Sequence, residues 1–222
     1  MTETAECLTF DRLPTDGVEL ATHIAAKLCH DFVSPAGAIM SGLDLLNDPS
    51  AQDMRDDALG LITDSATKLI ALVHFCRVAF GAATTSERFT AGDLRGLVAG
   101  MIHGGRATMD WQVTEADLAK PAARALVNLA YLSAGALPSG GVATITSRRE
   151  GDHLILTGLA LGNRARLKPE AATGLAGQKL TEGLTGQWVQ PYWLWLTVQE
   201  AGGTLSVVTE DGRVAIEATM PL

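Results

Sequence analysis

The run Lys27-Leu28-Cys29-His30-Asp31-Phe32-Val33-Ser34-Pro35 places an imidazole, a carboxylate, a hydroxyl and a cation within two turns of a helix. Histidine is the side chain whose ordinary pKa lies nearest neutrality, so a neutral ring nitrogen is available as a nucleophile or a general base. Asp31 offers an acceptor for the proton on the other ring nitrogen. Ser34, one turn on, offers a hydrogen bond, and Lys27, one turn back, offers positive charge to an anion. Pro35 costs a helix about 3 kcal/mol, because it removes one backbone bond and crowds the carbonyl four residues back. That carbonyl belongs to Asp31. A local rule broken next to a histidine is where function is to be sought.

The element that must carry these groups is an amphipathic helix. On a wheel of about 100° per residue, His23, Lys27, Ser34, Gly37 and Ser41 share the side of His30. Ile24, Leu28, Phe32, Pro35, Ile39, Leu43 and Leu46 gather opposite. His30 therefore points outward, with a rim of small residues that lets another protein approach closely. Thr15 or Asp16 caps this helix, which is expected to run to about Asn47. Asn47-Asp48-Pro49-Ser50 reads as a turn, with Ser50 capping a second helix from about Gln52 to Phe80. Cys29 diverges from His30 by about 100° and is expected to be a buried small apolar residue. A single hairpin cannot bury both apolar stripes. Pairing with a second copy into a four-helix bundle is the expected remedy, hence a homodimer.

Composition bounds the rest. The 222 residues carry a net charge of −8, which argues against nucleic acid as a partner. No uninterrupted apolar run reaches the roughly 18 residues of a spanning helix, the N-terminus is acidic and polar, and no membrane association is expected. Cys7, Cys29 and Cys76 have no metal-ligand spacing and read as free thiols of a reducing cytoplasm. Residues 1–84 hold five basic and twelve acidic side chains, and residues 85–222 hold twelve and thirteen. The change falls at Gly81-Ala82-Ala83-Thr84-Thr85-Ser86, read as a linker. The expected organisation is a helical hairpin at 1–84 and an α/β sandwich at 85–222, an α+β protein overall. In the second part the pattern predicts helices over 91–103, 121–137 and from Pro191 to Ala201. Strands are predicted over 108–113, 142–149, 153–161, 204–209 and 213–219, in one mixed, largely antiparallel sheet under a layer of helices.

His30-Asp31-Phe32-Val33-Ser34-Pro35 resembles the H-box of sensor histidine kinases: histidine, an acid, two variable positions, a small polar residue and proline. The resemblance implies a dimerising hairpin and phosphoryl transfer through His30, with Asp31 and Ser34 as its catalytic neighbours. Residues 85–222 are similar to the ATP-binding domain of the same kinases, in the order of elements and in phrases such as Leu126-Val127-Asn128-Leu129 and Ala201-Gly202-Gly203-Thr204-Leu205.

The nucleotide chemistry of that family is missing. The magnesium asparagine corresponds to Leu132, which cannot ligate a hard cation. The strand matched by 154–161 lacks the adenine-reading Asp, and Gln190-Pro191-Tyr192-Trp193-Leu194-Trp195 stands where a glycine-rich phosphate loop belongs. No ATP and no cofactor are expected. Trp193 and Trp195 read as core packing.

A phosphoacceptor dimer without a kinase site resembles the ChpT-type histidine phosphotransferases of alphaproteobacteria. That resemblance implies a cytoplasmic relay between the receiver domain of a hybrid kinase and response regulators, with Mg²⁺ held by the receiver. Lys27, Gly37 and Ser41 are the expected docking rim. Arg164 and Arg166, in the basic cluster Asn163–Lys168, are expected to steer an acidic partner. A non-catalytic receiver-binding adaptor and an ATP-dependent kinase are the competing readings.

Overall fold

A computed structural model describes residues 15–81 and 87–222. The expected linker therefore lies, apart from Gly81, outside the described residues, and so does Cys7. Helix α1 spans Gly17–Asn47, and Asp16 caps it by accepting from the Glu19 amide at 2.7 Å. It runs through Pro35, which is buried. A 3-10 turn, Pro49–Met54, leads into α2, Arg55–Ala79. Ser50 does not cap α2, which follows Met54 with no side-chain cap; the 3-10 turn is capped by Asp48, whose carboxylate accepts from both the amide and the hydroxyl of Ser50. Both bonds converge on Asp48 Oδ1, so the Ser50 hydroxyl is spent as a donor in the turn. Gly42 lets α1 close on α2, since a Cβ there would lie 2.6 Å from Ile62.

The second part is a five-stranded sheet with helices on one face. Its chain order is β1 (Arg88–Thr90), α3 (Ala91–Ile102), β2 (Ala107–Gln112), β3 (Asp117–Ala119) and α4 (Lys120–Gly135). There follow β4 (Gly141–Glu150), β5 (His153–Leu161), α5 (Pro169–Leu175), α6 (Thr185–Glu200), β6 (Thr204–Glu210) and β7 (Arg213–Pro221). The sheet order is β2-β4-β5-β7-β6, with β2 parallel to β4 and the other pairs antiparallel. Alternate residues of each central strand face the helices. Ala143 and Ile145, Leu154 and Leu156, and Val214, Ile216 and Ala218 pack on Leu126, Leu129, Leu194 and Val198. Gly158 is where α4 meets the sheet most closely: a Cβ there would lie 2.1 Å from Ser133 Oγ.

Three further expectations are corrected. Pro191 does not open a helix; it lies inside α6, which begins at Thr185. The helix is held there by packing: α5 lies against it at Gly174, where a Cβ would meet the Pro191 ring at 2.9 Å. Helix α5 and the small β1–β3 ladder have no counterpart in the expected elements. Cys29 is exposed, not buried, because it stands on the flank of α1 that carries Val33 and Met40, at 68% and 58% exposure.

The hairpin does not stand apart from the sandwich. Phe75, Val78 and Ala79 at the end of α2 belong to the same buried cluster as the sheet and α4. At the other seam Leu20 and Ile24 of α1 pack against Trp188, Tyr192 and Leu196 of α6. The span Pro49–Ala79 is long and apolar enough, by length and composition, to cross a membrane. In this fold it is packed along α1 and its last turns sit in the shared core.

Candidate functional site

The His30 side chain is 88% exposed, on the outward flank of α1. Its Nδ1 lies 3.2 Å from Asp31 Oδ1, and Asp31 Oδ2 accepts from Lys27 Nζ at 2.7 Å. One carboxylate thus bridges an ammonium and an imidazole. The i,i+4 spacing of Lys27 and Asp31 on the helix brings the ion pair together. Lys27, expected on the exposed rim, is only 12% exposed, because its stem is covered at the junction of α1 with the sandwich. A carboxylate at Nδ1 favours the tautomer that carries its proton there, which leaves the Nε2 lone pair facing solvent.

Behind this pair lie Cys76 of α2 and Tyr131 of α4. Burial pushes the Cys76 thiol up to about 11, with Lys27 lowering it and Asp31 raising it by smaller amounts. Burial likewise pushes the Tyr131 hydroxyl above its ordinary range, with the same two charges acting on it. Both groups stay protonated at neutral pH and offer no rival nucleophile.

The expected site residues separate in space. Ser34, Gly37 and Ser41 are exposed along the flank of α1 that carries His30. His30, with Lys27 and Asp31, also borders a cleft of about 590 Å³ between the hairpin and the sandwich, which Ser34, Gly37 and Ser41 do not line. Its far wall is Arg166, Leu167 and Lys168, its floor Tyr131, Leu132 and Gly135, and its end Thr185, Gly186 and Gln187 at the start of α6. Arg166 therefore faces the cleft that His30 borders. Arg164 does not: it lines a separate depression with Ser139, Gly140 and Gly141. Tyr131, Lys168 and Gln187 were not among the expected site residues. Lys168 closes the basic cluster of Arg166, but Tyr131 and Gln187 come from elements far apart in sequence, and no local spacing marks them. Among the described residues Asp31 is the one carboxylate lining the cleft, and it is already paired. Leu132 lines the floor where the kinase-like pattern would put a cation ligand.

The α6 aromatics do more than pack. Trp193 Nε1 donates to the Ala79 carbonyl at 2.6 Å, and the Arg124 guanidinium lies 5.2 Å over its ring. Trp188 stacks on Tyr192 with ring centres 4.6 Å apart and meets His23 of α1 edge-on.

Residues 91–213 match the family model described as the histidine phosphotransferase C-terminal domain. The protein phosphotransferase ChpT of Brucella abortus (strain 2308) is 30% identical over 195 residues, spanning 86% of this chain and 90% of that protein. A solved structure described as a bacterial phosphotransferase superposes with a TM-score of 0.81 at 27% identity, over 93% of this chain and 99% of that one. Full-length ShkA, solved in complex with AMPPNP, shares the fold alone: TM-score 0.50, 17% identity, 93% of this chain and 46% of that one.

Proposed function

The chain belongs to the histidine phosphotransferases, phosphorelay proteins, and from that premise we propose that the phosphoryl group it relays is carried on His30. The observation that carries this reading is the Lys27–Asp31–His30 row, which holds one imidazole nitrogen and leaves the other open at the surface. In the forward step Nε2 attacks the phosphorus of a receiver's aspartyl phosphate. The N–P bond forms, the O–P bond breaks, and the receiver carboxylate leaves with the bonding pair. Asp31 stabilises the proton on Nδ1 as positive charge develops on the ring. The reverse sequence delivers the group to a second receiver. Magnesium belongs to the receiver, whose acidic pocket it neutralises. Ser34, within one turn, supplies a hydrogen bond to the phosphoryl oxygens.

The receiver docks along the rim of Gly37 and Ser41 and against Arg166 across the cleft, where positive charge in an acidic chain orients an acidic partner. Arg164 contributes at longer range from its separate depression. The partners on the two sides are the receiver of a hybrid histidine kinase and those of response regulators. The working form is a homodimer in the cytoplasm. Val33 and Met40 of α1, with Leu59, Ile70 and Val73 of α2, leave large apolar side chains exposed along the hairpin, and a second copy covers them in a four-helix bundle. In this reading ATP is not the donor, supported by Leu132 and, among the described residues, a single already paired carboxylate at the cleft, a poor donor set for magnesium.

The test is a two-protein transfer without ATP. Wild-type chain and His30→Ala are mixed with phosphorylated receiver domains of the same organism. Acid-labile, base-stable phosphate on the wild type alone is the expected result. No label on either, across several receivers that still bind, would move the reading to a sequestering adaptor.

A further inference from the structure

The end of α2 is held in an unusual way. The last carbonyls of a helix have no partner within it. Here the Ala79 carbonyl accepts from Asn128 Nδ2 of α4 at 3.2 Å and from Trp193 Nε1 of α6 at 2.6 Å. The Gly81 carbonyl accepts from the Arg124 guanidinium at 2.7 Å. Gln190 Nε2 donates to Asn128 Oδ1 at 3.0 Å and ties the two helices to each other. Asn128 and Gln190 are at 0% and 3% exposure. Apolar side chains could fill this volume; directional donors aimed at one carbonyl from two helices fix an orientation as well. A cation beside a helix C-terminus adds favourable charge.

We propose that Asn128, Gln190 and Trp193 are positioning residues for phosphotransfer: they clasp the end of α2 and thereby set the width of the cleft between His30 and its cationic wall. The path is short and bonded. Asn128 stands one turn before Tyr131 and Leu132, which floor the cleft. Beyond the end of α4, the Ala136 carbonyl accepts the Arg166 amide at 2.9 Å. The seat of α4 on α2 thus fixes where Arg166 stands relative to His30. A chain whose wall is already in place binds a receiver without first ordering two parts. The role rests on transfer through His30, and it implies that the second part stays docked throughout the cycle.

The test separates docking geometry from intrinsic reactivity. The whole 222-residue chain is charged on His30 with phosphoramidate, a small donor that needs no docking surface. It is then mixed with the receiver domain of the same organism that takes the label fastest. Two variants are compared with wild type: Asn128→Leu/Gln190→Leu, which removes a buried polar pair together and so limits the loss of stability, and Trp193→Phe, which keeps a ring and loses the donor. The expected result is charging within about twofold of wild type, a KM for the receiver raised about tenfold, and a saturated rate within about threefold. Hydrogen exchange at the end of α2 should rise in the same variants. Unchanged KM in both variants, with that exchange raised, overturns the proposal while leaving relay through His30 intact. Charged wild type that delivers to no receiver overturns the relay reading, and the clasp with it.

Discussion

Replacing Asp31 by Asn is the sharpest perturbation of the site. The amide keeps the size of the carboxylate and can still accept from Nδ1, but it loses the charge. A hydrogen bond with one ionised partner is worth roughly 1.5–3 kcal/mol. His30 is 88% exposed and Asp31 28%, so solvent screening selects the lower figure. About 1.5 kcal/mol of lost transition-state stabilisation is roughly a tenfold slower transfer. The assay is single-turnover transfer from a phosphorylated receiver at saturating concentration, quenched on the millisecond scale. Lys27→Met supplies the second side of a cycle. Its ammonium holds Asp31 at 2.7 Å and acts through that carboxylate, so the double variant should lose no more than Asp31→Asn alone. A change under twofold for Asp31→Asn, a loss confined to KM, or strictly multiplicative losses in the double variant would refute the bridging role of the carboxylate.

Other outcomes follow from the same geometry. Arg166→Glu should weaken receiver binding by about tenfold and flatten its salt dependence, whereas Arg164→Glu, in its separate depression, should change it less than threefold; titration calorimetry decides. Val33→Glu with Ile70→Glu should turn the expected dimer into a monomer in sedimentation, since both are large exposed side chains on the stripe assigned to the second copy. Gly158→Ala puts a methyl against Ser133 Oγ and should cost about 1–3 kcal/mol in urea unfolding. With Cys7 replaced by Ser, a thiol reagent at pH 8 should label exposed Cys29 within minutes and Cys76 only on unfolding. Because folding raises the Cys76 pKa from 9.0 to about 11, its contribution to stability is whole below pH 9 and is lost as pH climbs toward 11.

Elements governed by short-range chemistry were legible in the sequence. Thr15-Asp16 before an amphipathic run marks the start of α1, where Asp16 proves to be the cap, Asn47 to Ser50 marks the hairpin turn, and Glu150-Gly151-Asp152 marks the turn between β4 and β5. The motif around His30 stood out because its neighbours lie within one helical turn. What was hidden depends on contacts between distant segments. Pro191 reads locally as a helix start, yet tertiary packing against Gly174 carries α6 through it. Lys27 belongs to the polar flank on a wheel, but the sandwich covers it. The cleft wall at Arg166 and the hydrogen bonds of Asn128 and Trp193 exist only once α2, α4 and α6 have met.

The buried cluster that runs from Phe75, Val78 and Ala79 into the sheet has a consequence for how such a chain can be cut, folded and grafted. Neither half owns its interior. A truncation at the charge boundary would strip Leu94, Val98 and Leu126 of neighbours supplied by α2, so the two halves should melt in one cooperative transition. Kinase hairpins grafted onto this sandwich would then fail unless the grafted end carried matching side chains.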